Sequence, residues 1–298
     1  MIQPNNLQKD DTVAIVSTAR KITSDKIIPA IKLLEKWGLN VVVGDTIGSE
    51  ENQFSGSDEA RIIDFQQMLN NPKVKAIWCA RGGYGTVRIV DKLDFTEFKK
   101  HPKWIIGYSD ITVLHSHLHN LGIETLHATM PINVEKNSKE SLATLKKSLF
   151  GKSLSYEIPA DEKNKTGNAT GELVGGNLSV LYSLLGSKSA IKTKGKILFI
   201  EDLDEYLYHI DRMCINLKRN GYFSNLKGLI IGGMTDMHDN EIPFGKTAEE
   251  IILDCVSEYD FPVVFNFSAG HLDDNRALIL GRKVTMEVGE NKSEISFL

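Results

Sequence analysis

The first half of the chain alternates short apolar runs with stretches of helical period, and no other feature narrows the fold as far. Thr12–Ser17 reads as a buried strand, and Ser24–Trp37 then sets Ile27, Ile28, Ile31, Leu34 and Trp37 at helical spacing before Gly38, a natural C-cap. Asn40–Val43 is a second strand. Ser57 opens a helix with Asp58 and Glu59 in its first turn and Ile62, Phe65 and Leu69 as its apolar stripe. Lys75–Ala80 and Trp104–Tyr108 read as a third and fourth strand, separated by a helical piece near Thr86–Leu93. Strands alternating with helices at this spacing specify an α/β fold with a parallel sheet covered on both faces.

In such a sheet ligands bind beyond the carboxyl ends of the strands. Three loops fall there: Ser17-Thr18-Ala19-Arg20, Arg81-Gly82-Gly83-Tyr84-Gly85 and Tyr108-Ser109-Asp110. Further on, residues 161–168 are polar, without apolar period, and read as a solvated linker or excursion. The expected organisation is an N-terminal parallel-sheet α/β domain over residues 1–150, a linker over 151–170, and a C-terminal mixed α/β domain over 171–298. The latter opens with a glycine-rich turn at Gly171–Gly176 and a helix over Leu178–Leu185. Strands follow at Lys196–Ile200, Gly228–Ile231 and Pro262–Phe265, with helices at Tyr206–Asn220 and Thr247–Tyr259. Lys283–Val288 and Glu294–Phe297 are expected to close the fold as a short antiparallel hairpin around Gly289.

Charge and cysteine usage exclude some classes. With 298 residues, one large or two medium domains are expected. A net charge of −4 argues against a general nucleic-acid partner, which needs a basic face. No apolar run approaches the roughly 18 residues that cross a bilayer, and the N-terminus lacks a basic segment followed by an apolar core. Cys79, Cys214 and Cys255 are distant from one another and odd in number, which fits reduced thiols of a cytoplasmic protein. The expectation is therefore a cytoplasmic location without membrane or nucleic-acid partners.

Ser109 lies where the strand Trp104–Tyr108 gives way to a helical pattern carried by Val113, Leu114, Leu118 and Leu121. A hydroxyl on such a bend can be thrust toward a substrate, with helix N–H groups beside it. It can equally be an N-cap, the commonest duty of Ser or Asp before a helix. The Arg81–Gly85 loop is neither a P-loop nor a dinucleotide fingerprint, which leaves a tight structural turn or a donor of an oxyanion hole. Glu201 closes an apolar strand and begins Glu201-Asp202-Leu203-Asp204-Glu205. This is a solvated acidic loop, a carboxylate set for Mg²⁺ and phosphoryl chemistry, or a single carboxylate aimed at a site. His271 follows Gly270 past another strand. His115 and His119 share a helix face, but the adjacent glutamate of a zinc-protease motif is missing, so they read as ordinary helix residues. A hydroxyl, a carboxylate and a histidine, in the order Ser, Glu, His, are the parts of an acyl-transfer triad. Gly107 and Ser109 match the start of the α/β-hydrolase elbow Gly-x-Ser-x-Gly, but Ile111 stands where its second glycine belongs.

These residues, read as five ordered motifs, resemble the serine LD-carboxypeptidases, peptidase family S66, which include the microcin C self-immunity peptidases. The motifs are Ala80-Arg81-Gly82-Gly83-Tyr84-Gly85, Gly107-Tyr108-Ser109-Asp110, Gly175-Gly176-Asn177-Leu178, Ile200-Glu201-Asp202 and Gly270-His271. The resemblance spans nearly the whole chain. It implies Ser109 as nucleophile, Glu201 as triad acid and His271 as general base, with the backbone N–H groups of Gly83 and Asp110 forming an oxyanion hole. It further implies no metal and no cofactor, a homodimer, and removal of terminal D-alanine from muropeptide tetrapeptides in peptidoglycan recycling. Arg81 and Tyr84, bordering the glycine loop, are the expected substrate-binding residues, Arg81 for the terminal carboxylate. The compact interval between Ser109 and Glu201 favours a muropeptide over the peptidyl or aminoacyl nucleotide of the microcin branch. A muropeptide-binding or sensing protein that keeps the fold is the non-enzyme alternative.

Overall fold

The computed structural model describes residues 1–298 and contains two sheets. The first is built from β1 (Thr12–Val16), β2 (Asn40–Val43), β3 (Val74–Cys79), β4 (Trp104–Gly107) and β5 (Thr125–His127). The second takes β6 (Ser155–Pro159), β7 (Gly167–Asn177), β8 (Ile197–Leu203), β9 (Gly228–Thr235) and β10 (Val263–Val264). A short β11 (Leu278–Leu280) then returns to the first sheet before β12 (Lys283–Val288) and β13 (Lys292–Phe297) complete the second. The first sheet runs β11-β5-β4-β3-β1-β2, parallel except for β11; the second runs β10-β9-β8-β7-β12-β13-β6, parallel from β10 to β7 and antiparallel beyond. The expected α/β class, the parallel first sheet and the closing β12–β13 hairpin are thus present.

One core cluster of 37 buried residues draws on both sheets, joining Trp104 and Ile106 of β4 to Phe199 of β8 and Ile230 of β9. At roughly 25 cal/mol per Å² of apolar area removed from water, this continuous packing fixes the sheets against each other. Loops from both therefore meet at constant distance. The indoles of Trp78 and Trp104 are buried with their N–H groups satisfied by the carbonyls of Thr129 at 2.8 Å and Asn5 at 3.0 Å.

Several elements differ from expectation. Gly171–Gly176 is not a turn but the second half of β7, an 11-residue strand. A Cβ at Gly175 would lie 1.8 Å from the Phe199 carbonyl oxygen, and one at Gly176 2.4 Å from Thr112 Oγ1. The glycines are there for close approach to β8 and to the helix after Ser109, not for a bend. The stretch expected as a linker carries β6 and the start of β7. The helix Lys139–Leu149, which the apolar pattern does not signal, buries Ser141, Thr144 and Ser148 along with Leu145 and Leu149, so most of its inner stripe is polar.

Candidate active site

β4 delivers the chain to Ser109 in the left-handed region, φ +63°. A side chain rarely adopts that conformation, which costs on the order of 1–3 kcal/mol and persists where packing enforces it. The glycine loop leaves room for it: a Cβ at Gly82 would sit 3.0 Å from Ser109 Cβ. Ser109 is not a helix cap. Neither the 3-10 turn Ser109–Ile111 nor the helix Thr112–Asn120 has a side-chain cap, and the hydroxyl is within hydrogen-bonding distance of His271 Nε2 instead, at 3.1 Å.

The Asp110 carboxylate does not cap its own helix either; it accepts the Thr86 N–H at 2.9 Å. The bend is thereby tied to the far end of the glycine loop. Burial lifts the Asp110 carboxyl above its ordinary range, against the lowering effect of the Thr86 hydrogen bonds.

On the other side of the cleft, Glu201 projects from β8 where its register with β9 shifts between Ile200 and Asp202. Such bulges re-aim side chains. Glu201 is fully buried, and its Oε2 accepts both His271 Nδ1–H at 2.7 Å and the His271 backbone N–H at 3.2 Å. With Nδ1 donating, Nε2 is left to accept the Ser109 hydroxyl proton. The histidine loop is shaped to this contact. Gly270 has φ +106°, and a Cβ there would lie 2.6 Å from Glu201 Oε2. Burial pulls the His271 pKa down, but the charge and hydrogen bond of Glu201, with a smaller contribution from Asp202, outweigh it and leave the value raised.

Asp202, next along the strand, serves a different neighbourhood. Its oxygens accept the Asn177 side-chain amide and the backbone N–H of Ser179, each at 2.8 Å. Burial first, and the Glu201 charge second, push its pKa to about 7. Asn177 also caps the helix Leu178–Ser183 by accepting the Val180 N–H at 3.1 Å, which explains the asparagine after the paired glycines.

The cleft holding Ser109 and His271 has a volume of about 530 Å³, and Gly83, Arg81, Arg20 and Asp204 also line it. Tyr84 does not: its ring lies 6.1 Å from Phe54 and is 44% exposed. A larger cavity of about 1010 Å³ lies at the amino ends of the first sheet, bounded by Asp11, Val74 and Lys103, away from these groups. The helix histidines are structural. His115 bonds Thr125 Oγ1 and the Gly107 carbonyl, both at 2.9 Å, while His119 contacts Glu172 and Lys196.

Two positioning groups escaped the sequence reading, both on the helix Asp58–Asn70. Arg61 is completely buried and donates from Nη1 to the carbonyls of Thr18 at 2.6 Å and Gly85 at 3.0 Å, joining two of the three strand-end loops. Asp64 accepts the Thr46 N–H at 2.9 Å and its hydroxyl at 2.6 Å. Their signal was the spacing itself: Arg61 and Asp64 stand on the face of Phe65, Met68 and Leu69, where polar side chains are out of place unless partnered.

Comparison with known proteins gives a consistent result. Residues 13–128 match the family model of the LD-carboxypeptidase N-terminal domain, and residues 170–286 that of the C-terminal domain. A probable murein peptide carboxypeptidase of Bacillus subtilis is 35% identical, over 98% of this chain and 94% of its own. Among solved structures, muramoyltetrapeptide carboxypeptidase from Oxalobacter formigenes superposes with a TM-score of 0.87 at 25% identity, covering 96% of this chain and 98% of that one. The microcin C7 self-immunity protein MccF gives the same TM-score of 0.87 at 23% identity, over 98% of this chain and 97% of that one, a likeness of fold.

Proposed function

The chain belongs to the LD-carboxypeptidase family, whose members are serine peptidases, and from that premise we propose that it removes the terminal D-alanine of murein tetrapeptides through Ser109, His271 and Glu201. The observation that carries this reading is the continuous relay from Ser109 Oγ to His271 Nε2 at 3.1 Å and from His271 Nδ1 to Glu201 at 2.7 Å. A strained serine and a buried carboxylate are the arrangement a nucleophile and its base require.

In the proposed reaction Ser109 Oγ attacks the carbonyl carbon of the amide that joins an L-centre to the terminal D-residue. His271 Nε2 takes the hydroxyl proton, and the backbone N–H groups of Gly83 and Asp110 receive the developing oxyanion. Collapse breaks the C–N bond, and His271 returns the proton to the departing amine. Water, deprotonated by the same nitrogen, then attacks the acyl-serine; the ester C–O bond breaks, His271 gives its proton to Ser109 Oγ, and the shortened peptide leaves as a carboxylic acid. Glu201 stays ionised, fixes the tautomer and stabilises the imidazolium. Arg81 lines the cleft and is the proposed anchor for the terminal carboxylate. Tyr84, turned toward Phe54, is not retained as a cleft-lining group in this scheme.

The reading extends to organisation: residues 1–150 carry the nucleophile and 171–298 the acid and base, in a cytoplasmic homodimer. No helix is long and apolar enough to cross a membrane, and all three cysteines are free and buried. The test is release of D-alanine from a sugar-free murein tetrapeptide. Ser109→Ala should lower turnover by roughly 10⁵–10⁶-fold, and undiminished release would overturn the assignment. An aminoacyl-nucleotide amide offered in parallel should be cleaved poorly.

A further inference from the structure

Arg20 and Arg81 both line the cleft, and neither guanidinium has a counter-ion. Lys21, between them in the chain's path, is paired with Glu50 at 2.8 Å, but neither Arg20 nor Arg81 has a carboxylate within 4 Å. Arg81 donates once, from Nη1 to the Lys21 carbonyl at 3.1 Å, and its buried Nε has no partner. The Arg20 side chain makes no hydrogen bond within the protein. Burial first, and then the charge of Arg20, lower the Arg81 pKa, which fits two like charges held close.

The pair is built rather than incidental. The Arg20 carbonyl accepts the hydroxyls of Ser17 and Ser55, each at 2.9 Å, so the backbone that bears this arginine is pinned from two sides. The bond from Arg81 to the Lys21 carbonyl ties the second guanidinium to the residue that follows the first. The Arg20 stem lies on the glycine loop: a Cβ at Gly83 would be 2.6 Å from Arg20 Cδ. The Arg20 stem thus borders the peptide group proposed to hold the oxyanion, and Arg81 is tied to the residue that follows Arg20. Two adjacent, unneutralised guanidiniums offer the planar forks that a carboxylate accepts in bidentate fashion.

We propose that Arg20 and Arg81 form a two-arm clamp for the free carboxylate of the substrate's last residue, with Arg20 the arm that restricts cleavage to that residue. The inference rests on the carboxypeptidase reading above. With a single residue beyond the scissile bond, its carboxylate carbon lies about one residue's length, roughly 3.5 Å, from the attacked carbonyl. A chain continuing past the clamp would present a neutral amide to two cations.

The experiment compares the full chain, Arg20→Ala and Arg20→Lys on two substrates, the murein tetrapeptide with a free terminus and the same peptide ending in D-alaninamide. Arg20→Ala should lose on the order of 10²-fold in kcat/KM on the free acid, mostly in KM, and change little on the amide. Arg20→Lys should recover part of the loss. Equal losses on both substrates would assign Arg20 to holding Gly83 in place and overturn the clamp, as would no loss on either. If the wild-type chain releases nothing, the carboxypeptidase reading fails, and the clamp is then read by calorimetry in Ser109→Ala. N-acetyl-D-alanine should bind more tightly than N-acetyl-D-alaninamide, and Arg20→Ala should erase that difference. Equal binding of the two would overturn it.

Discussion

The two sides of the cleft hold their groups by different physical means. On the side of the first sheet, backbone conformation does the positioning. Ser109 is forced to φ +63°, Gly82 backs onto it, and buried Arg61 and Asp110 tie the surrounding loops through main-chain atoms. On the side of the second sheet, side-chain electrostatics do it: a fully buried carboxylate takes two N–H groups from one histidine, and the histidine's pKa is raised in consequence. A nucleophile needs an exact attack vector, which strain supplies; a base needs a tautomer and a proton affinity, which a buried charge supplies. Perturbing the first side should therefore change rate with little change in pH dependence, whereas perturbing the second should change both.

Among changes that leave the Ser109 hydroxyl in place, the largest expected effect is on the second side. Glu201→Gln keeps the shape but removes the charge that selects the Nδ1–H tautomer. kcat should fall by about 10⁴-fold, measured as D-alanine release, with unfolding midpoints showing that the protein remains folded. A fall of tenfold or less would mean that Glu201 is a structural acid and that the second side is not organised as described.

Gly270→Ala perturbs the same pair without removing any functional group. The methyl would arrive 2.6 Å from Glu201 Oε2 at a residue whose φ is +106°, so the histidine loop must shift. A displacement of about 1 Å costs on the order of 10²-fold in rate, and the thermal midpoint should drop as well. On the first side, Arg61→Met leaves the buried Thr18 and Gly85 carbonyls without their shared donor. Destabilisation of about 1–3 kcal/mol is expected, read from denaturant unfolding, with a rate loss near tenfold and an unmoved pH profile. A shifted profile in Arg61→Met would erase the distinction between the two sides.

The same contrast explains what could be read from the residues alone. β1, β3 and β4 are apolar runs between turn signals, so the first sheet and the bend at Ser109 were legible. β7 was not, because Gly171, Gly175 and Gly176 look like a turn when the partners that crowd them, Ile197, Phe199 and Thr112, are distant in sequence. The cap and nucleophile readings of Ser109 could not be separated locally, since what distinguishes them is a histidine 162 positions away. Glu201 stood out by closing an apolar strand, and His271 through the order Ser, Glu, His together with the family motifs. Arg61 was lost because a periodicity argument equates the buried face with the apolar one, and here a completely buried cation holds two loops from that face.

The smallest effect separates the two sides most cleanly. His271 must be neutral to accept the Ser109 proton, so kcat/KM should fall on the acid side with the pKa of the free enzyme's histidine. That pKa is raised from its ordinary 6.5, because the Glu201 charge and hydrogen bond outweigh burial, and the acid limb should therefore have its midpoint above 6.5. In Glu201→Gln, burial faces only the weaker pull of Asp202, and the limb should move to lower pH even though the remaining rate is small. Stability follows the opposite sense. A histidine whose folded pKa is raised favours the fold when protonated, so its contribution is complete below about 6.5 and is lost as pH rises through the folded value. Unfolding of the two proteins compared across that window should show the stability of wild type relative to Glu201→Gln falling as pH rises, since the buried histidines whose pKa values burial lowers, His115 and His127 among them, act alike in both. Arg61→Met, though less stable throughout, should show the wild-type slope, because it loosens the Ser109 side of the cleft and leaves the groups that raise the His271 pKa untouched.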